Sequence, residues 1–282
     1  MFPITADDLD EVGEFLHLNL NPRLSARVWS ASVVPSWCIE SPNHGFLLRH
    51  AGAVVGVYLA FYSERTIAGR RELFCNLAGW CVLDSHRAHS MRMLRAMLGQ
   101  KGYHFTDLSP SGSVVALNRR LRFVDLDTST VLVPNIPHPL RARGARLVSN
   151  QPEIESLLTG DDLQRYLDHR TAAAAQQMVL QEPDGRVCHV VVRKDRRRNM
   201  PLFASILHVS DREVFVRNQE VVFQHLFLRH GVAATLVELR VTGSAPRRGR
   251  LLRSARPKMF RSPTLKAEDI DYLYSELTCV AW

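Results

Sequence analysis

The spacing of apolar residues along the chain changes several times, and each change marks an element. After a short extended start at Phe2 to Ile4, Thr5 is placed to cap a helix. Leu9, Val12, Phe15 and Leu16 then follow at helical intervals on one face. From Gly45 the pattern becomes strand-like: GFLLRH, the turn Ala51-Gly52 and VVGVYLAFYS predict a tight antiparallel hairpin, with a further strand over Glu72 to Leu83. Helical spacing returns at Met91, Leu94, Met97 and Leu98 within SHRAHSMRMLRAMLGQKG, and Gly99 and Gly102 supply a stop. The short strand HFTDLS, a helix over Ser111 to Arg120 and the alternating strand VDLDTSTVLVPN complete the series.

The next stretch, NIPHPLRARGAR, contains Pro137, Pro139 and Gly144 and follows neither period. It predicts a linker at 136–146 between a first domain at 1–135 and a second at 147–282. The second half then runs through a helix from Asp161 to Gln177, strands at MVLQE and RVCHVVVRK around Pro183-Asp184-Gly185, and a strand at LFASILHVS. A helix from Val214 to Arg229, stopped by Gly231, precedes the strand ATLVELRV. The matching order predicts a tandem repeat of one α/β plan, of the α+β kind with a mixed sheet. The end, KAEDIDYLYSELTCVAW, reads as an acidic turn or short helix running into an apolar tail, packed on the body or closing over a substrate.

Composition narrows the setting. The chain has 282 residues, of which 46% are hydrophobic, enough for the cores of two domains of about 150 residues each. No run of about 18 apolar residues occurs, and the start FPITADDLDEVGEFL is acidic where a signal peptide is basic, so the expected compartment is the cytoplasm with no membrane partner. Cys38, Cys75, Cys81, Cys188 and Cys279 stand singly, which points to buried apolar residues. His86 and His89 are three apart and His225 and His230 five apart, with no H-x-x-x-H pair, so no metal is expected.

The net charge of +8 is concentrated in Arg240, Arg247, Arg248, Arg250, Arg253, Arg256, Lys258 and Arg261, a run without an acid. Phe260 is the sole aromatic there, and nucleic acid is not expected as a partner; an anionic small molecule or plain solvation remains open.

Candidate chemistry lies where NLAGWCVLD meets Arg87-Ala88-His89-Ser90-Met91-Arg92, a strand followed by a helix start. The first turn of a helix carries unpaired N–H groups and a positive dipole end, which can hold a pyrophosphate without specific side chains. In order and spacing, Asn76 to Leu98 resembles the strand, turn and helix with which the GNAT superfamily of N-acyltransferases holds acyl-coenzyme A. The family pattern reads Q/R-x-x-G-x-G/A; Arg87 matches its first position, whereas Ser90 and Arg92 replace the two small ones. LSPSGSVVALNRRLRFVDLD resembles the family's second coenzyme-binding segment, near N-x-x-A-x-x-L-Y-e-k-L-G-F, with Leu117, Leu121 and Phe123 matching. Asn118 stands where many members carry a tyrosine able to protonate the departing thiolate, and Arg122 stands where they carry glycine. The resemblance covers residues 45–133 and, more loosely, 1–44.

The resemblance implies two tandem GNAT-like domains and an acyltransferase that moves an acyl group, acetyl in the first instance, from coenzyme A to an amine by direct attack. Acetyl-CoA or another acyl-CoA is the implied co-substrate, with an acyl carrier protein as an alternative donor and a small molecule or protein as the amine. The coenzyme would lie on Trp80, Cys81, Val82, Leu83, Arg87, Ala88, His89, Ser90, Met91, Arg92 and Asn118.

Such a reaction needs a neutral amine, a polarised carbonyl and a proton for the leaving thiolate. Asp84, His86 and Asn118 form the expected catalytic set, with His89, Asp107 and Ser109 as further ionisable or polar neighbours. Against this stand plainer readings, in which Asp84 and Ser85 cap the helix and the histidines are turn residues. In the second half, VSDREVFVRNQEVVFQHLFLRHG lacks a glycine-rich turn and carries Asp211, Glu213 and Glu220, acids that repel a pyrophosphate. One coenzyme per chain is therefore expected, the degenerate second half shaping the acceptor groove or replacing a dimer partner, in a monomer or dimer. The alternative to an enzyme is a noncatalytic module that binds an acyl-thioester or a protein partner.

Overall fold

The computed structural model describes residues 1–37, 39–136, 144–197, 200–252 and 255–281. Cys38, Arg253, Trp282 and residues 137–143 of the expected linker lie outside the described residues.

The first half of the chain forms β1 (Phe2–Pro3), α1 (Leu9–Asn19), α2 (Ala26–Val33), β2 (Gly45–His50), β3 (Ala53–Ile67), β4 (Arg70–Val82), α3 (Ser90–Leu98), β5 (Tyr103–Asp107), α4 (Gly112–Arg120), β6 (Val124–Asp125) and β7 (Thr130–Pro134). The second forms β8 (Arg146–Val148), α5 (Gln151–Leu157), α6 (Gly160–His169), β9 (Ala175–Gln181), β10 (Val187–Arg197), β11 (Met200–Val209), α7 (Arg212–His230), β12 (Ala234–Glu238), α8 (Leu239–Thr242), β13 (Arg250–Leu251), β14 (Met259–Arg261) and α9 (Glu276–Cys279). A 3-10 turn over Asp84–His89 leads into α3.

These elements make two compact units, residues 1–126 with 257–282, and residues 127–256. The boundary between these units falls at Asp127, ahead of the linker expected at 136–146. The cause is local: Asp127 Oδ1 accepts hydrogen bonds from the Ser129 backbone N–H at 2.9 Å and its hydroxyl at 2.6 Å. This turn cuts VDLDTSTVLVPN into β6 and β7, which join different sheets. The strand lost from the first sheet is replaced by β14, from the far end of the chain.

Among the described residues the first unit's sheet runs β1-β2-β3-β4-β5-β14-β6 and the second unit's runs β8-β9-β10-β11-β12-β7-β13. Each is antiparallel except for one parallel pair, β4 with β5 and β11 with β12. One expectation changes: the helix read over Asp161 to Gln177 ends at His169, because Ala175, Gln176 and Gln177 pair with Arg193, Val192 and Val191 of β10. Sheet pairing overrides the helix propensity of that stretch.

In the first unit β3 is covered on both faces, which explains its unbroken apolar run. Val57, Leu59 and Phe61 pack with Val12, Leu16 and Trp29 of α1 and α2. Tyr58, Ala60 and Tyr62 pack with Met93, Leu94, Met97 and Val115 of α3 and α4. Each such burial is worth about 1.5–3 kcal/mol before entropy is counted. The terminal segment packs on the body: α9 is buried, and Cys279 and Val280 join the α1 and α2 face.

In the second unit α7, capped by Asp211 and ended by Gly231 at φ 64°, lays Val214, Phe215, Val222, Phe223 and Leu226 on Val190, Val192, Ala204 and Ile206.

Candidate functional site

The site is built where β4 and β5 part. Their parallel pairing runs from Leu73↔Tyr103 to Asn76↔Thr106 and goes no further, although β4 continues to Val82 on its β3 side. Asn76 is fully buried at this point. Its Nδ2 donates to Thr106 Oγ1 at 3.0 Å, and its Oδ1 accepts from the Glu276 backbone N–H at 3.2 Å. Ser109 donates through its hydroxyl to Glu276 Oε1 at 2.5 Å, so the terminal segment is tied to the ends of both strands.

Just beyond the parting, β4 carries a bulge. Leu59 pairs with Ala78 and Val57 with Cys81, so Gly79 and Trp80 together face Tyr58 alone. Gly79 takes φ +57°, the left-handed conformation of a bulge's first residue, which is why NLAGWCV has glycine there. A bulge leaves a backbone group without a ladder partner and re-aims the next side chain. The Trp80 ring turns flat against Tyr58, with centroids 4.8 Å apart and planes 12° apart.

Facing the same cluster, Asp107 ends β5 and accepts a 2.8 Å hydrogen bond at Oδ2 from Asn118 Nδ2 of α4. Burial pushes the Asp107 carboxyl up to about 6, against the opposing pull of the Asn118 amide and the Ser109 backbone N–H. Burial first, and the Asp107 charge second, push the Tyr58 phenol well above its usual range. Three buried polar atoms of this cluster, Tyr58 Oη, Trp80 Nε1 and Asn118 Oδ1, have no hydrogen-bond partner among the described residues.

The turn after β4 is open to solvent. Asp84, Ser85, Arg87, Ala88 and His89 are exposed and Ser90 is half-buried. No side chain caps α3; the Ser90 hydroxyl donates to Arg87 O at 2.7 Å instead. Asp84 pairs with Arg87 at 2.9 Å and does not cap the turn, whose N-cap position is Leu83. His86 Nδ1 lies 2.8 Å from Ser85 Oγ and its ring centroid 4.9 Å from that of His50.

Of the expected coenzyme residues, Val82, Leu83 and Met91 pack beside the α3 core, Cys81 turns to the opposite face, and Arg92 is exposed. Trp80 is thus half-buried and stacked on Tyr58, Asn118 is bonded to Asp107, and the Asp107 charge acts on the Tyr58 phenol. Asp84 and His86 stay with partners in their own turn and His50. Arg122, standing at the glycine of the family pattern, has φ +67°, the conformation that favours glycine. Sequence reading missed Tyr58 and Glu276; the glycine inside the apolar strand NLAGWCV was the available sign of a bulge opposite Tyr58.

In the second unit the pairing of β11 with β12 also stops early, at Ser205↔Leu236, and β11 has a register shift opposite Val191 and Val192. Its helix start differs from that of α3: Asp211 Oδ1 accepts from Val214 N–H at 2.9 Å, and Arg186 pairs with Asp211 and Glu213. The described residues hold no group of three His, Cys, Asp or Glu side chains able to bind a metal ion. None of their helices is long and apolar enough to cross a membrane.

No protein-family model matches the chain, and no curated protein does. Solved structures do. A GCN5-related N-acetyltransferase from Anabaena variabilis matches with TM-score 0.58 and 12% identity over 92% of this chain and 71% of that one. A putative acetyltransferase from Pyrococcus horikoshii matches with TM-score 0.56 and 15% identity over 96% and 90%. Saccharomyces cerevisiae N-myristoyltransferase, solved with bound myristoyl-CoA, matches with TM-score 0.50 and 9% identity over 97% and 82%.

Proposed function

We propose that this chain, which has the fold of the GNAT superfamily, moves an acyl group from coenzyme A to an amine by direct attack. The observation that carries this reading is the bulge at Gly79 and Trp80, set just past the last β4–β5 pair. Parted strands leave β4 backbone groups to pair with the amides of a pantetheine arm, and a free bulge N–H can polarise a thioester carbonyl. The orphaned atoms of Tyr58, Trp80 and Asn118 fit such an arm, two donors and one acceptor for a ligand that carries carbonyls and amide N–H groups.

The uncapped start of α3 and the exposed guanidinium groups of Arg87 and Arg92 suit the pyrophosphate. The second unit is read as a degenerate copy that takes no coenzyme, because the Asp211 carboxylate already occupies the start of α7.

A noncatalytic acyl-thioester module is the second reading, favoured by Ser90 and Arg92 at the two small positions and by Asn118 at the tyrosine position. A thiol-release assay with acetyl-CoA and longer acyl-CoAs against a pool of small and peptide amines separates the two. Amine-dependent release supports transfer; tight binding without release supports the module.

A further inference from the structure

The Tyr58 hydroxyl is one of the buried polar groups of the first unit left without a hydrogen-bond partner among the described residues. The residue is 2% exposed, its ring is stacked on Trp80, and its oxygen has no hydrogen-bond partner among the described residues. Buried hydroxyls in folded proteins are hydrogen-bonded, so an orphan beside a strand bulge points to a ligand that supplies the missing acceptor. On the α4 side Asn118 gives one of its two amide N–H groups to Asp107, which holds its side chain toward β5.

We propose that Tyr58 is the hydrogen-bond donor to the thioester sulfur and to the thiolate that replaces it. This rests on the acyl-transfer reading above. The amine nitrogen attacks the carbonyl carbon, the C–N bond forms and the C–S bond breaks, and the electron pair of the C–S bond goes to sulfur. The proton shed by nitrogen balances the one sulfur finally takes, so no co-reactant is needed. Tyr58 keeps its own proton throughout: burial and the neighbouring Asp107 charge hold the phenol neutral, which makes it a donor at every working pH.

The test is a thermodynamic cycle on the full chain, titrating wild type and Tyr58→Phe with coenzyme A and with desulfo-coenzyme A by calorimetry. Wild type should prefer coenzyme A by about fivefold, the worth of one ordinary hydrogen bond, and the variant should show no preference. The variant should also melt no lower than wild type, because the lost hydroxyl had no partner, while kcat for acetyl transfer falls roughly 100-fold with little change in KM. A variant that keeps the preference and the rate overturns the assignment while leaving acyl transfer standing. A variant that melts lower with its preference intact makes Tyr58 structural and overturns it too. Wild type that neither binds coenzyme A nor turns over removes both readings together.

Discussion

Asn118 on α4 holds the Asp107 carboxylate at 2.8 Å inside the first unit, and this one hydrogen bond is the polar link between β5 and the helix that follows it. Burial, opposed by that hydrogen bond, pushes the Asp107 carboxyl up to about 6, against 3.8 for an ordinary aspartate.

That shift fixes a dependence on pH. The folded protein keeps the Asp107 proton up to about pH 6, whereas the unfolded chain loses it near 3.8, so ionisation of Asp107 costs the folded state stability as pH rises through that window. Asp107→Asn removes the cost while keeping an acceptor for Asn118. Denaturant melts should find the variant more stable than wild type at pH 8, by on the order of 3 kcal/mol at most, and no different at pH 3. An equal difference at both pH values would mean that Asp107 does not titrate in this range.

Gly79 gives a sharper test of the bulge. Its φ of +57° is disfavoured for any residue with a Cβ, and an added Cβ would stand 3.1 Å from Leu59 Cδ1. Gly79→Ala should lower stability by about 1–2 kcal/mol in chemical denaturation. A variant as stable as wild type would contradict the left-handed bulge.

The phosphate assignment predicts that Arg87→Ala and Arg92→Ala each weaken coenzyme A binding by about 1.5–3 kcal/mol, measured by calorimetry at low salt. Asp84→Asn, which releases Arg87 from its 2.9 Å ion pair, should leave affinity unchanged or tighten it. If neither arginine variant loses affinity, the pyrophosphate does not lie at this turn.

Much of this was legible in the sequence. Strands β2 to β5 and helices α1, α3, α4 and α7 follow periods that their own residues set. The resemblance over Asn76 to Phe123 led to the strand, turn and helix later found there, and Arg122 keeps the left-handed conformation that suits the glycine of the pattern. What the sequence hid depends on long-range pairing. Nothing local says that Met259, Phe260 and Arg261 complete the first sheet against β5 and β6, or that Thr130 to Pro134 leave it for the second. Glu276 was hidden for the same reason, being brought to Asn76 across 200 residues of chain. Asp84 and His86 drew attention by their nearness in sequence to the central strand, yet they end in a solvent-facing turn, while Tyr58 reaches the cluster from the neighbouring strand.

The central claim is that one unit of this chain, and one alone, is built to hold an acyl-coenzyme A. Titration of the full chain with acetyl-CoA by isothermal calorimetry tests it most directly. One equivalent bound per chain is the predicted result, with affinity reduced in Arg87→Ala; two equivalent sites per chain, or no binding at all, would contradict it.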